Sequence, residues 1–447
     1  MSAGSVFAGR RRNLIELTGH EPILTREFHT VESTLSLANV SRQIIVPLFS
    51  RLRTSRGQAN PLPSYQELRR LGEVFPAPWG GYLVTSHRLC HQVLRDRSWR
   101  VPDLHWRLSQ DDAARWSSPA SRQMAASLPM LNPPDHTMMR KSLGNIFDRH
   151  ALARLRPFIE DTADRLTGRF FEEAREGSAE FCSIVADELP VITIGQWMGL
   201  PEADHGLLRT LTHDQVHTQE LFPSRSQLAL SDAATAQLRQ YFTEVVRERR
   251  NRPGEDPISS WLRAWDSIEP DRARADAAVH SLALFMILAA LETTSHVLSA
   301  SVRLLADRPH EWEWLRRHPE DVPGAVEETL RYDAPIHMIS RVASRDCEVG
   351  GVLVREGEMV QLMTGAAHHD PEHYADPHVF DIHRAQAHLS FGGGIHYCLG
   401  NALARLEATA LLNSLLKRDA RPRISAPPRW EPRIAFRRMT SLQLALG

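Results

Sequence analysis

Apolar residues along most of this chain recur every three to four positions, the spacing that lines one face of an α-helix. Leu399, Leu403, Leu406 and Ala410 keep that spacing, and residues 86–95 repeat it behind Ser86, a side chain suited to capping a first turn. Long helical patterns run from about Asp135 up to an apolar run over residues 281–291 and beyond it. Apolar all round, that run reads as a buried helix. Pro309, Pro319 and Pro323 punctuate shorter helices. Strand signals are few. Residues 81–85 read as a short strand after a turn, and residues 349–360 carry a Gly-Gly pair within alternating positions, which predicts a hairpin. The predicted fold class is therefore mainly α with a small β-rich region.

Residues 1–60 lack this periodicity and close on a polar stretch over residues 54–60, so they read as a partly irregular N-terminal extension ahead of a single domain over residues 61–447. Within the extension, the apolar run from Ile44 to Phe49 lies between Arg42 and the pair Arg51 and Arg53. A short helix folded onto the main body, or a simply mobile segment, accounts for it better than a helix lying on a membrane surface or a partner. The first residues are small and polar, then basic, with no apolar stretch of the kind a secretory signal needs. The apolar run over residues 281–291 falls well short of the ~20 residues that span a bilayer. The expectation is a cytoplasmic protein with no membrane span. A net charge of -1 over 447 residues advertises neither nucleic acid nor a charged surface as partner. Four cysteines at unrelated spacings form neither a disulfide framework nor a zinc pattern, which suits a reducing compartment.

One cysteine stands apart. Cys398 closes the run Phe391-Gly392-Gly393-Gly394-Ile395-His396-Tyr397-Cys398-Leu399-Gly400, and a helical pattern begins directly after it. Glycines there permit backbone angles closed to other residues and let a large flat ligand come close. A sulfur just ahead of a helix N-terminus is expected to have a lowered pKa and to be offered as a thiolate. A thiolate of this kind, as an axial ligand, pushes electron density into haem iron and favours O–O cleavage. Cys90, Cys182 and Cys347 have no such context and read as small buried hydrophobes. A phosphate-cradling loop would need a preceding strand and a Lys-Ser or Lys-Thr pair, both absent here.

Every fixed position of the pattern Phe-Gly-x-Gly-x-His-x-Cys-x-Gly is met by residues 391–400, and with Leu403-Ala404-Arg405 the segment resembles the ligand loop of the cytochrome P450 family. The resemblance extends over residues 61–447 and implies the cytochrome P450 fold with haem b held through Cys398. It is similar also at Ala289-Ala290-Leu291-Glu292-Thr293, the family's central-helix motif, which assigns Thr293 to the oxygen-binding site and Glu292 to feeding it protons through water. Ala290 departs from the usual glycine. From the residues alone, Thr293 would bond its own helix one turn back and Glu292 would reach solvent. The resemblance further implies that Glu328, Arg331 and Arg384 form a buried structural brace, that His136, Arg140, Arg341 and His396 face the two haem propionates, and that His388 packs nearby. His368, His369, Asp370 and His373 read as a solvated or backbone-bonded turn rather than a metal site.

What the resemblance implies for activity is a bacterial, soluble monooxygenase that uses O2 and two externally supplied electrons to oxidise a small, largely apolar molecule, with specialised-metabolite biosynthesis as a common setting. The electron donor would be one such as ferredoxin with an NAD(P)H-dependent reductase. A basic docking face would draw on Arg140, Lys141 and Arg405. The substrate pocket would draw on residues 99–130 with Trp106 and Trp116, on residues 282–291 and 336–339, and on the stretch near Phe436. Two alternatives stay open at this stage: an enzyme of altered chemistry marked by Ala290, and a haem-binding module without turnover.

Overall fold

The computed structural model describes residues 42–110, 116–144 and 146–447. Its axis is a 35-residue helix, Arg272–Ala306, started by the Asp271 carboxylate, which accepts the N–H groups of Ala273 and Arg274. The apolar run over residues 281–291 is only its middle, and the helix continues for fifteen residues through Glu292, Thr293, Ser295, His296, Ser299 and Ser301. By length and composition the whole helix, unlike the 281–291 run alone, is long and apolar enough to cross a membrane. In the fold its first turns, Arg272 to Ala278, are largely open, and most positions from Val279 onward are buried.

Two hydrophobic clusters divide this helix between them. Ala275 to Leu291 pack with helices Arg225–Asn251 and Pro257–Asp266, whereas Val297 to Ala306 pack with helices Arg149–Ala174 and Asn401–Leu416. The changeover falls at residues 292–296. There the helix is released from apolar packing on one side, and polar side chains can face a cavity.

A five-stranded sheet forms the small β region, in the order Val74–Pro76, Tyr82–Val84, Met359–Leu362, Ile339–Ala343, Trp99–Arg100. Only the Tyr82–Val84 and Met359–Leu362 pair is parallel. Gly81, at φ +69°, lies where a Cβ would collide with the Met359 carbonyl, so the turn before the strand requires glycine. The expected capped helix is present as His87–Arg95, with Ser86 Oγ accepting from Leu89. The expected hairpin is shorter than residues 349–360: Cys347–Val349 pairs with Val352–Val354 around Gly350 and Gly351, both at positive φ, and Met359–Leu362 joins the larger sheet instead.

Residues 42–52 form a helix that buries Ile45, Leu48, Phe49 and Leu52, with Phe49 edge-on to Trp79 at 4.8 Å. With Ser55–Ala59 it seats the last part of the predicted extension on the main body, while residues 1–41 lie outside the described residues. The expected brace is formed: Glu328 and Arg331 pair at 2.7 Å with both side chains 1% exposed, and Arg384 approaches Glu328 at 3.3 Å. Arg331 also donates to the carbonyls of His368, Pro377 and Val379, tying helix Val322–Tyr332 to the chain ahead of the cysteine loop.

Candidate active site

The cysteine loop is held from three sides. Cys398 N–H donates to the Phe391 carbonyl at 2.9 Å, Asn401 Nδ2 to the Cys398 carbonyl at 2.8 Å, and Arg140 to the Tyr397 carbonyl at 2.9 Å. Gly392 and Gly394 sit at φ +69° and +64°. A Cβ on Gly394 would lie 2.5 Å from the Leu94 carbonyl, and one on Gly393 would crowd Leu94 and Arg95. The close approach these two glycines allow is to the end of helix His87–Arg95, while Gly392 lines the cavity. Helix Asn401–Leu416 follows with Gly400 as its cap.

The expectation of a lowered thiol pKa is also corrected. Burial pushes the Cys398 thiol up, against the pull of the Gly400 N–H, Arg140 and Arg405. In such a site it is a coordinating metal that deprotonates a thiol outright.

Cys398 opens onto a cavity of about 950 Å³, at the upper end of the ~300–1,000 Å³ usual for small-molecule sites. Trp106, Trp116, Ile336, Ile339 and Phe436 line it as expected, whereas Trp99 is buried in the sheet and Leu282, Leu284 and Ile287 turn into the core. On the central helix Phe285, Met286, Leu288, Ala289 and Ala290 face the space.

One part of the cavity wall is cationic and uncompensated. Arg341, on Ile339–Ala343, is 6% exposed, has no carboxylate partner among the described residues, and donates only to the Ser340 carbonyl. Burial lowers its pKa to about 10. His136, on helix Asp135–Leu143, and His396 lie with ring centroids 4.3 Å apart, and His136 Nε2 and His396 Nδ1 are buried without a partner. Burial, then Arg341, His136 and Arg140, lower the His396 pKa to about 3. A buried guanidinium and two orphaned imidazole nitrogens on one cavity wall call for an anion. Haem, with its propionates and an iron that takes a thiolate, fits this donor set.

Thr293 and Glu292 both line the cavity, but in different states. Thr293 Oγ1 donates to the Ala289 carbonyl at 3.1 Å, the bond foreseen from the residues alone. Glu292 does not reach solvent. Its Oε1 takes an N–H of Arg433 and its Oε2 lies 2.6 Å from His213 Nδ1. Burial would raise its pKa, yet Arg433 and His213 outweigh burial and hold the carboxyl well below the usual carboxylate range. The sequence does not single out Arg433 or His213, which lie 141 and 79 residues away. Glu220, another cavity-lining carboxylate, was likewise not foreseen.

The docking face needs revision. Arg405 is half-buried, forked on Glu327 at 2.5 and 2.9 Å and stacked over Phe391 at 4.4 Å, so its charge is spent within the fold. Arg140 belongs to the cavity wall and only Lys141 of the three is exposed. His388 packs as expected, at 3.2 Å from Glu327. Among the described residues no group of His, Cys, Asp and Glu could hold a metal ion, and the residue 368–373 turn is backbone-bonded: His368 Nε2 accepts from Leu389 N–H.

A family model described as Cytochrome P450 matches residues 322–418. Nocardicin C N-oxygenase of Nocardia uniformis subsp. tsuyamanensis is 35% identical over 359 residues, 78% of this chain and 85% of that protein. The biotin biosynthesis cytochrome P450 of Bacillus subtilis (strain 168) is 32% identical over 363 residues, 80% of this chain and 89% of that protein. The solved structure of P450BioI in complex with hexadec-9Z-enoic acid ligated acyl carrier protein superposes with a TM-score of 0.80 at 30% identity, covering 88% of this chain and 99% of that one. Shared over most of their lengths with relatives of this kind, a fold that brings Cys398, an anion-seeking wall and one large apolar cavity together means that the chain belongs to the cytochrome P450 family of haem b monooxygenases.

Proposed function

We propose that this protein oxidises a small, largely apolar organic molecule in bacterial specialised-metabolite biosynthesis, with Cys398 as the iron ligand, His136, Arg140, Arg341 and His396 holding the propionates, and Glu292 with Thr293 managing protons. Bound haem b supplies the activation of O2, using two electrons from an external donor such as ferredoxin with an NAD(P)H-dependent reductase. The setting is cytoplasmic. The observation that carries the reading is that the Cys398 loop, the uncompensated Arg341 wall and Thr293 all open onto the same cavity.

Thr293, having given its proton to the Ala289 carbonyl, is left with lone pairs to accept a hydrogen bond in the cavity. Glu292 is an ionised clamp in the arrangement described, because both its oxygens are engaged. For a proton to pass from Glu292 into the cavity, its carboxyl turns away from His213 or Arg433, takes up a proton from water and hands it on through water. The apolar lining of Phe285, Met286, Leu288, Ala289 and Ala290 favours an apolar substrate. The biosynthetic setting draws support from the relatives, whose names place them in nocardicin, biotin and polyketide chemistry.

The test is the absorption spectrum of the ferrous carbonyl complex, which reports thiolate ligation. Cys398→Ser should lose the thiolate-type band while far-UV circular dichroism stays that of a folded protein. Thr293→Ala should divert electrons from product to released peroxide. Equal coupling in that variant would remove Thr293 from the mechanism.

A further inference from the structure

Part of the cavity wall is built by two segments far apart in sequence, the turn Val216–Gln219 with Glu220 after it, and the loop over residues 431–438. The loop is paired along one edge only. There the Ala435 carbonyl accepts from His337 N–H at 2.8 Å, Arg437 N–H donates to the Pro335 carbonyl at 2.9 Å, and Ile336 and Phe436 form an isolated antiparallel bridge. Among the described residues no other strand pairs with it, yet Ile434 and Ala435 are buried and their amides need acceptors.

One side chain meets that need. Glu220 Oε2 accepts the N–H groups of Ile434 at 2.8 Å and Ala435 at 3.2 Å, and Oε1 accepts that of Phe436 at 3.0 Å. Burial pushes the Glu220 carboxyl pKa up, against the pull of these amides and of Arg433. Three consecutive amides converge on one carboxylate, which an extended strand, with its amides alternating between edges, does not present, and the three bonds fix the loop in distance and in tilt. Glu220, Leu221 and Phe222 on one side of this contact, and Ala435 and Phe436 on the other, all line the cavity. The contact is therefore a seam in the wall of the ligand space.

We propose that Glu220 is a specificity-determining positioning residue, which sets the inner size of the cavity by clamping Ala435 and Phe436 to the segment that begins at Val216. A ligand too bulky for the clamped wall is disfavoured by this seam. A small one does not meet it. The inference rests on the haem-thiolate reading, since a ligand is detected through its nitrogen on the iron.

The test uses the holoenzyme and two azoles, imidazole as the small probe and a trityl-substituted imidazole as the bulky one, each titrated by the shift in the haem absorption spectrum. Glu220→Gln puts a donor where an amide also donates, and should loosen the wall. The expected result is a bulky-probe Kd at least fivefold tighter than in the wild type, with faster association, while the imidazole Kd stays within twofold. General loss of structure would weaken both probes together. An unchanged ratio of the two Kd values in folded protein overturns the assignment of Glu220. If Glu220→Gln does not yield folded holoenzyme, Glu220→Asp, too short to reach all three amides, must shift the ratio in the same direction or the assignment falls. No spectral shift with either azole in the wild type would overturn the haem-thiolate reading itself, and the inference with it, which separates the two failures.

Discussion

Glu407 is a carboxyl acid kept in a place that penalises its charge, and replacing it should make the protein more stable. It lies on helix Asn401–Leu416, 2% exposed, with Oε2 buried and without a partner. Burial alone raises its pKa from 4.5 to about 8. In the unfolded chain the group loses its proton near pH 4.5, whereas the folded protein keeps it until about pH 8. Between those values the unfolded state binds fewer protons, so stability falls as pH rises, by about 1.4 kcal/mol for each pH unit. At pH 7 the accumulated cost is on the order of 3 kcal/mol. Glu407→Gln keeps the shape and removes the ionisation. Urea unfolding of wild-type and variant holoenzyme, followed by far-UV circular dichroism and by the haem band, should give similar midpoints at pH 5. The gap should widen in favour of the variant towards pH 8 and stop growing above it. Because each comparison is made at one pH, the cofactor and the other titrating groups act on both proteins alike. A gap that stays constant from pH 5 to pH 8, or one that favours the wild type at pH 8, would show that the carboxyl is ionised and paired in the fold, and the reasoning from burial would fail.

Arg341→Leu should move two measurements in opposite directions. The apoprotein should gain stability, since a buried guanidinium without a carboxylate is removed. The holoenzyme should lose haem to an acceptor globin roughly 10–100-fold faster, the equivalent of a charge-assisted hydrogen bond of about 1.5–3 kcal/mol; an unchanged loss rate would take Arg341 away from the propionates. Glu328→Gln should cost about 3–5 kcal/mol in urea unfolding by stranding Arg331 and Arg384, whereas Glu328→Met combined with Arg331→Leu should cost less than the single change. A double variant less stable than the single one would mean that the pair attracts more strongly than its desolvation costs.

The parts of this fold that could be read from sequence are those in which neighbouring residues carry the physics. The Cys398 loop is one, because chain reversal and the metal ligation proposed for it demand particular residue types within ten consecutive positions. Ser86 and the Gly350-Gly351 turn are others, since a cap or a tight hairpin is satisfied within three or four residues. The central helix hid its true length for the opposite reason. Its continuation carries Ser295, His296, Ser299 and Ser301, which look like surface positions but are buried: Ser299 and Ser301 donate to carbonyls one turn back in the helix, whereas Ser295 donates to Asp187 and His296 lies 3.1 Å from the Asp333 carbonyl. A polar residue whose partner is its own helix leaves no mark on a hydrophobic pattern. Countercharges are less legible still. That Arg405 is forked on Glu327, that Glu292 is clamped by Arg433 and His213, and that Glu220 serves three amides all depend on segments 78 to 216 residues apart meeting in space. The motif therefore nominates the groups proposed to do the chemistry, while the partners that decide their charge state come only from the fold. Arg341 shows the same rule from the other side: its lack of a carboxylate partner among the described residues, invisible in the sequence, is what makes its wall of the cavity a place for an anion.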